Sequence, residues 1–296
     1  MRYTMRQVEV FLAVARHESV SRAAEALYMS QSAVSGSLAE LERQFGVRLF
    51  DRIGKRLQLS ALGRAIRAGA QATLDQAADL ERALDKGDDV GRLRVGATLT
   101  IGNHLAVPLM ARFMREHPGA QVTLTVANTE EVARQVANFE IDVGLIEGEV
   151  SHPDLEVAPW CHDELDVFCA PSHSLAKKSV LDDGDLRQAA WIVRERGSGT
   201  RQTFDRAMAG LLPDLSIALV LQHAEAIIGA VEAGLGVGCI SRIALTAAVQ
   251  SGRLVCCPVP HRDFRRQFLF LLHKEKYRGQ GLQKWLDLCR QEMGES

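Results

Sequence analysis

Two short runs of hydroxyls and glycines mark the chemistry open to this chain. Thr98-Leu99-Thr100-Ile101-Gly102-Asn103 follows a strand-like stretch and opens a helical one reaching about Arg115. Gly197-Ser198-Gly199-Thr200 repeats the arrangement after residues 191–193 and leads into a helical stretch over about 201–211. The first turn of a helix leaves backbone N–H groups without intrahelical partners, and the helix dipole adds partial positive charge there. Each run can therefore cradle a small oxyanion. The candidate contacts are Thr98, Thr100, Ile101 and Gly102 on one side, and Ser198, Gly199 and Thr200 on the other. Either run alone also fits an ordinary helix cap; the pair in one chain points to a ligand. Glu147, Arg194, Glu195, Arg201 and Glu225 are expected near the mouth. A carboxylate beside an anion is unfavourable unless paired or protonated. Glu147 is accordingly expected to bond a backbone group or to select a protonated ligand.

A second set of polar residues suits a different partner. Ala23–Leu27 and Ser30-Gln31-Ser32-Ala33-Val34-Ser35 read as two short helices joined by a turn at Tyr28-Met29. Such a turn delivers the second helix, N-terminus first, to a DNA major groove. With Val34, Leu38, Leu41 and Phe45 as its apolar face, Gln31, Ser32, Ser35 and Gly36 are left outward. Gln can bond adenine through two hydrogen bonds, and Ser reaches base or phosphate. Arg22, Arg48, Arg52, Lys55 and Arg56 are candidates for phosphate contacts, which position without specifying sequence. Arg52 has a rival reading, an ion pair with Asp51 or Glu42.

The elements that must hold these residues follow from periodicity. Val8, Phe11, Leu12 and Ala15 mark a first helix, Ser19 or Ser21 caps a second, Ser30 caps the third, and Gly46 ends it. Residues 48–59 alternate enough for a small wing with Gly54-Lys55 at its tip. A long helix follows, over about 61–86. Its stripe of Leu62, Ile66, Gly69, Thr73, Gln76, Leu80 and Ala83 is close to a heptad and suits pairing with a twin. Residues 87–91 read as a linker. Beyond Arg92, strand candidates at 93–97, 122–126, 142–146, 166–170, 191–193, 217–221, 237–240 and 268–272 alternate with helices, the pattern of largely parallel α/β units. This alternation leaves open one doubly wound sheet or two smaller lobes.

Composition narrows the function further. The net charge of -2 hides an asymmetry: residues 1–60 carry nine Lys/Arg against six Asp/Glu, and the rest 26 against 31. A mildly basic head on an acidic body fits a DNA-binding module attached to a sensor. The six cysteines, Cys161, Cys169, Cys239, Cys256, Cys257 and Cys289, form no CxxC pair and read as small buried hydrophobes. The nine histidines are scattered, with no HxH or HxxxH pair, and neither GxSxG nor a P-loop is present. Enzymatic activity is therefore not expected. Gly234-Leu235-Gly236-Val237-Gly238 precedes a strand instead of following one and reads as a tight turn. Glu9 and Arg16 interrupt the first apolar run, so neither a signal peptide nor a membrane span is expected, and the location is cytoplasmic.

Together these residues resemble the LysR-type transcriptional regulators, over the whole chain. The likeness is carried by Phe11, residues 23–27 and 30–35, Leu38, Leu41-Glu42, Leu49-Phe50-Asp51-Arg52, and Ser60 before Gly63. Ile101-Gly102-Asn103, Asp142-Val143-Gly144-Leu145-Ile146-Glu147-Gly148 and Arg194-Glu195-Arg196-Gly197-Ser198-Gly199-Thr200-Arg201 resemble the YeiE/CysL-like subgroup, associated with sulfite and cysteine metabolism. The resemblance implies an α/β protein with a winged helix-turn-helix over 1–60 and a dimerising linker helix over 61–87. It also implies a two-lobed, periplasmic-binding-protein-like (type 2) effector domain, with lobe I from 92–163 and 265–296 and lobe II from 164–264. The chain would cross between lobes near Glu164 and Phe264. The implied function is a homodimeric regulator, pairing further into tetramers, bound to a roughly palindromic site on double-stranded DNA. It would need no cofactor or metal and would answer to a small anion between the lobes, sulfite or a related sulfur oxyanion, with a small carboxylate as the alternative.

Overall fold

The computed structural model describes residues 2–53, 56–84 and 90–294. Helix α1 (Met5–His17) buries Val8, Phe11, Leu12 and Ala15, and Thr4 and Gln7 cap it through reciprocal bonds. α2 (Val20–Ala26) starts at Ser19, whose hydroxyl accepts from the Arg22 N–H. α3 (Gln31–Phe45) starts at Ser30, whose hydroxyl accepts from the Ala33 N–H, and it ends at Gly46 with φ +65°. Val34, Leu38 and Leu41 join one core with Phe11, Ala23 and Phe50. Phe45, expected on the same buried face, is 40% exposed. It lies in the last turn of α3, where its neighbours are Tyr3 and the Arg2 guanidinium at the rim of the head.

Strands β1 (Phe50–Ile53) and β2 (Arg56–Leu59) pair antiparallel as a wing. The expected tip, Gly54-Lys55, lies outside the described residues. α4 (Ala61–Leu84) then crosses the wing at Gly63, where a Cβ would stand 2.3 Å from the Leu49 carbonyl oxygen. Leu62, Ile66 and Leu80 of its apolar stripe are left partly uncovered by the described residues.

The remainder is a mixed sheet wrapped by helices. β3 (Arg92–Thr98) leads into one helical run: α5 (Leu99–Ile101), a π-helical segment (Gly102–Ala106) and α6 (Val107–Glu116). β4 (Gln121–Ala127), α7 (Thr129–Ala137) and β5 (Val143–Glu147) follow, with β4 and β5 parallel to β3 on either side. β6 (Leu155–Cys169) is the longest strand. After it come α8 (Asp183–Gln188), β7 (Ala190–Arg194), α9 (Gly199–Ala207), β8 (Ser216–Leu221), α10 (Ala224–Glu232) and β9 (Val237–Ser241). α11 (Arg242–Gln250), β10 (Val255–Cys256), β11 (Arg265–His273) and α12 (Gln280–Gly294) complete the chain.

The strand order is β4-β3-β5-β11-β6-β9-β7-β8, and β10 pairs with β6. β6 pairs with β11 up to Glu164 and with β9 from Leu165 onward, so this one strand serves two lobes. Each lobe has its own interior. Val95, Ile101, Phe113, Leu145, Phe268 and Trp285 pack in the first, and Leu165, Trp191, Phe204 and Val237 in the second. A two-lobed effector domain is the result, in place of one doubly wound sheet.

Two expectations need correction. The strand expected at 166–170 covers only the last four residues of β6, which ends at Cys169. Pro159 and an irregular register opposite Phe268/Leu269 interrupt the period-two pattern of its first half. The helix expected from Arg201 begins at Gly199 and closes at Ala207.

Candidate effector site and DNA-binding face

The two hydroxyl-rich runs meet between the lobes. Thr98 occupies the N-cap of the helical run opened by α5, and Ser198 the N-cap of α9. Thr100 and Thr200 donate from opposite sides to one atom, Glu147 Oε1, at 3.3 and 3.2 Å. Gly148 and Gly199 bring the lobes together backbone to backbone. A Cβ on Gly199 would stand 2.0 Å from the Glu147 carbonyl oxygen. The Gly199 N–H donates to Thr129 Oγ1, and the Thr129 hydroxyl to the Glu147 carbonyl. At the rim, Asn103 donates to Glu225 and the Glu149 N–H to Gln202.

Arg266, in β11, is the ionic centre of this junction. Its Nη2 lies 3.0 Å from Glu147 Oε2, its Nε donates to Asp163 at 2.7 Å, and its Nη1 donates to Thr200 at 2.9 Å. Ser241 donates to the other oxygen of Asp163. Glu147, Asp163 and Arg266 are all buried. The carboxylate of Glu147 therefore bonds side chains, not the backbone group expected for it. Sequence reading missed Arg266, Asp163, Ser241 and Thr129. A signal for Arg266 does exist: it falls in phase with Phe264, Phe268 and Phe270, the inward face of its strand.

Among the described residues, the buried side-chain atoms without a hydrogen-bond partner include Thr98 Oγ1 and Ser198 Oγ. Both belong to N-cap residues, and neither makes the usual bond to its own helix. Leaving a buried hydroxyl unbonded costs about 1–3 kcal/mol. Each of these two helix N-termini thus carries one buried hydroxyl with its hydrogen bond unmade.

The other expected effector residues sit differently. The Ile101 side chain is fully buried in the first lobe's core, and Gly102 is pressed on Val126, which a Cβ would meet at 2.7 Å. Only their backbone could face a ligand. Arg194 is buried and pairs with Glu195, while Arg201 pairs with Asp205 and donates to the Arg194 carbonyl. Arg194, Glu195 and Arg201 thus bond one another and the start of α9, and not the Glu147–Arg266 cluster.

On the head, Gln31, Ser32, Ser35 and Gly36 are exposed along the first turns of α3, and Arg22, Arg48 and Arg52 are exposed nearby. Ser32 shares a hydrogen bond with the capping hydroxyl of Ser30 at 3.0 Å. Glu42 does not lock Arg52; it accepts from the backbone N–H groups of Leu49 and Phe50. Arg56 lies in β2, and Lys55 falls outside the described residues. Tyr28, read only as a turn residue, is 97% exposed with φ +53° just before the recognition helix.

This combination has known counterparts. Residues 5–64 match the bacterial regulatory helix-turn-helix of the lysR family, and residues 86–294 match the LysR substrate binding domain. The chain belongs to the LysR family of transcriptional regulators. It is 39% identical over 289 residues to the "uncharacterized HTH-type transcriptional regulator YeiE" of Escherichia coli K12, covering 98% of both chains. With the HTH-type transcriptional regulator CysL of Bacillus subtilis it shares 31% identity over 242 residues, 80% of each. A full-length OxyR variant from Pseudomonas aeruginosa superimposes with a TM-score of 0.72 at 22% identity, over 97% of both chains, and shows the shared fold. As a LysR-family member, the chain is a DNA-binding transcription regulator with a small-molecule effector domain. No helix among the described residues is long and apolar enough to cross a membrane.

Proposed function

We propose that this regulator answers to a small, proton-bearing oxyanion, sulfite or a related sulfur oxyanion, held between the N-termini that start at Leu99 and Gly199. The observation that carries this reading is the pair of buried, unpartnered hydroxyls, Thr98 and Ser198, one at each terminus. The hydroxyls of Thr98 and Ser198 are its first contacts, and Thr100 and Thr200 sit behind them on Glu147. Electrostatics argues for the proton. Glu147 and Asp163 share one guanidinium, so the buried cluster carries one net negative charge. A fully ionised anion added there would be repelled, whereas one bearing a proton can donate it to a carboxylate oxygen. The resemblance to the YeiE/CysL-like subgroup supplies the sulfur. Arg194, Glu195 and Arg201 hold the loop that presents Ser198.

In this reading residues 1–60 form the head, 61–87 the linker, 92–163 and 265–296 one lobe, and 164–264 the other. The exposed stripe of Leu62, Ile66 and Leu80 meets a second copy, and dimers pair into tetramers in the cytoplasm. Gln31, Ser32 and Ser35 read bases at a roughly palindromic site, and Arg22, Arg52, Lys55 and Arg56 neutralise phosphates. The effector acts by binding one lobe arrangement more tightly than the other, which is what shifts an equilibrium.

The test is the melting temperature of the full chain against sulfite, sulfate, thiosulfate, phosphate, chloride and small carboxylates. A ligand at 100 times its dissociation constant adds about 2.7 kcal/mol. A response to sulfite, absent for sulfate and lost in Thr98→Ala and Ser198→Ala, supports the reading. A response to carboxylates alone replaces the sulfur assignment with the carboxylate one. Silence across the panel overturns the anion site.

A further inference from the structure

Two thiols in lobe II touch. The strand register sets Val255 opposite Cys169 and Cys256 opposite Phe168, and the Cys257 N–H bonds the Val167 carbonyl at 2.8 Å. Side chains alternate across a strand, so Cys169 and Cys257 share a face while Cys256 projects to the other, 3.9 Å from Asp166. Both Cys169 and Cys257 are buried, with their sulfurs 3.4 Å apart. We propose that Cys169 and Cys257 form a reversible dithiol–disulfide site, oxidised by a small peroxide that reaches it from the adjoining cavity.

That cavity, of about 690 Å³, is lined by Cys256, Cys257, Pro258 and Phe264 but not by Cys169. Of the two paired thiols, Cys257 is therefore the one the oxidant meets first. Its sulfur attacks one peroxide oxygen; the O–O bond breaks, and hydroxide leaves with the thiol proton as water. The resulting sulfenic acid is attacked by the Cys169 sulfur. The S–S bond forms, the S–O bond breaks, and a second water carries off the hydroxyl with the last thiol proton. Two thiols lose two electrons in all, and one peroxide gains them.

The hydrogen bond between the sulfurs lowers the Cys169 thiol, against the opposing effect of burial, and raises that of Cys257. The raised Cys257 thiol makes the first step slow. Among the described residues, Cys161, Cys239 and Cys289 have no second sulfur within hydrogen-bond distance, so none of them can resolve to a disulfide within the chain as placed. Bond formation requires the sulfurs to close by about 1.4 Å, to the ~2.05 Å of a disulfide. β10 can follow, because it is two residues long and pairs only with β6. The segment beyond it ends at Phe264, whose carbonyl accepts from the Leu165 N–H where β6 changes partners.

The experiment exposes the reduced full chain to hydrogen peroxide at mildly alkaline pH. Free thiols are then counted by alkylation, and non-reduced peptides are mapped by mass spectrometry. The expected result is the loss of two titratable thiols, recovered by dithiothreitol, with the Cys169 and Cys257 peptides joined and two hydrogens lighter. Cys257→Ser abolishes the link and Cys256→Ser keeps it. All six thiols still alkylating, a link through Cys256, or oxidation confined to other cysteines would each overturn the proposal in the wild-type chain, whether or not the variants fold.

Discussion

At the start of α3, the Ser30 hydroxyl accepts from the Ala33 N–H, while Gln31, Ser32 and Ser35 stand exposed beside it. At the starts of α5 and α9, Thr98 and Ser198 occupy the same cap position, are buried, and leave their hydroxyls unbonded. The difference follows from water. An exposed helix end is solvated whatever its cap does, so the cap can stabilise the helix and leave recognition to its neighbours. A buried end has no solvent to complete it, and a hydroxyl left unbonded there is a standing cost of about 1–3 kcal/mol. The head spends its cap on folding; the cleft holds two in reserve.

The largest effect expected from this contrast is at Arg266. Arg266→Ala leaves Glu147 and Asp163 buried without a counter-charge, and breaking a buried pair in this way costs about 3–5 kcal/mol. Arg52→Ala on the exposed head should change stability by no more than about 0.5 kcal/mol. Urea unfolding of both variants makes the comparison. A loss at Arg266 no greater than at Arg52 would show that the cleft is hydrated like the surface.

Next in size is the contact that joins the linker helix to the first lobe. Lys276 pairs with Asp75 of α4 and with Asp142 of the first lobe, and Arg94 pairs with Asp142 as well. Burial pushes the Asp142 carboxyl up, but Lys276 and Arg94 outweigh it and hold it at about 2, below its ordinary 3.8. A carboxyl depressed on folding contributes stability above its unfolded value, and that contribution disappears as pH falls through the folded one. At 1.36 kcal/mol per unit, Asp142 supplies about 2 kcal/mol, lost between about pH 4 and pH 2. Asp142→Asn should flatten the acid limb of the stability curve in that window. An unchanged limb would mean that other carboxylates govern the acid response.

On the head, Gln31→Ala should leave the unfolding free energy within about 0.5 kcal/mol of wild type. It should cost about 1–3 kcal/mol of discrimination at one base pair of each half-site. Competition binding against singly substituted sites reads the difference. Uniform weakening across all sites would reassign Gln31 to the phosphates.

The head and the cleft also differed in how much their residues disclosed. α1, α3, the caps at Ser19 and Ser30 and the glycine stop at Gly46 are local features, set by helical periodicity and by hydroxyls within four residues. All of them were legible in the sequence, the α2 cap as one of two serines, Ser19 or Ser21. So were the two hydroxyl runs, because a helix N-terminus is also a local object. The convergence of those runs on Glu147 was not legible in their own residues, since it depends on β6 changing partners at Glu164, a crossing that only the family resemblance implied. Arg266 was hidden for the same reason. Its partners Glu147, Asp163 and Thr200 lie 66 to 119 positions away along the chain, and only the fold brings them together. Lys276, Asp75 and Asp142 repeat the lesson, with charges that look like solvated surface until three distant segments close around them.

The smallest effect is the sharpest test of the contrast itself. Ser30→Ala removes a working N-cap and should destabilise the protein by about 1 kcal/mol. Ser198→Ala removes a hydroxyl in the same position that bonds nothing, so without effector it should leave stability unchanged or raise it. The two curves should therefore move in opposite directions, or one should stay still. The order reverses when effector is added, because Ser30→Ala keeps the ligand-induced rise in melting temperature and Ser198→Ala loses it. If Ser198→Ala instead costs as much as Ser30→Ala in the absence of any anion, its hydroxyl is bonded in solution. The socket would then be an ordinary cap.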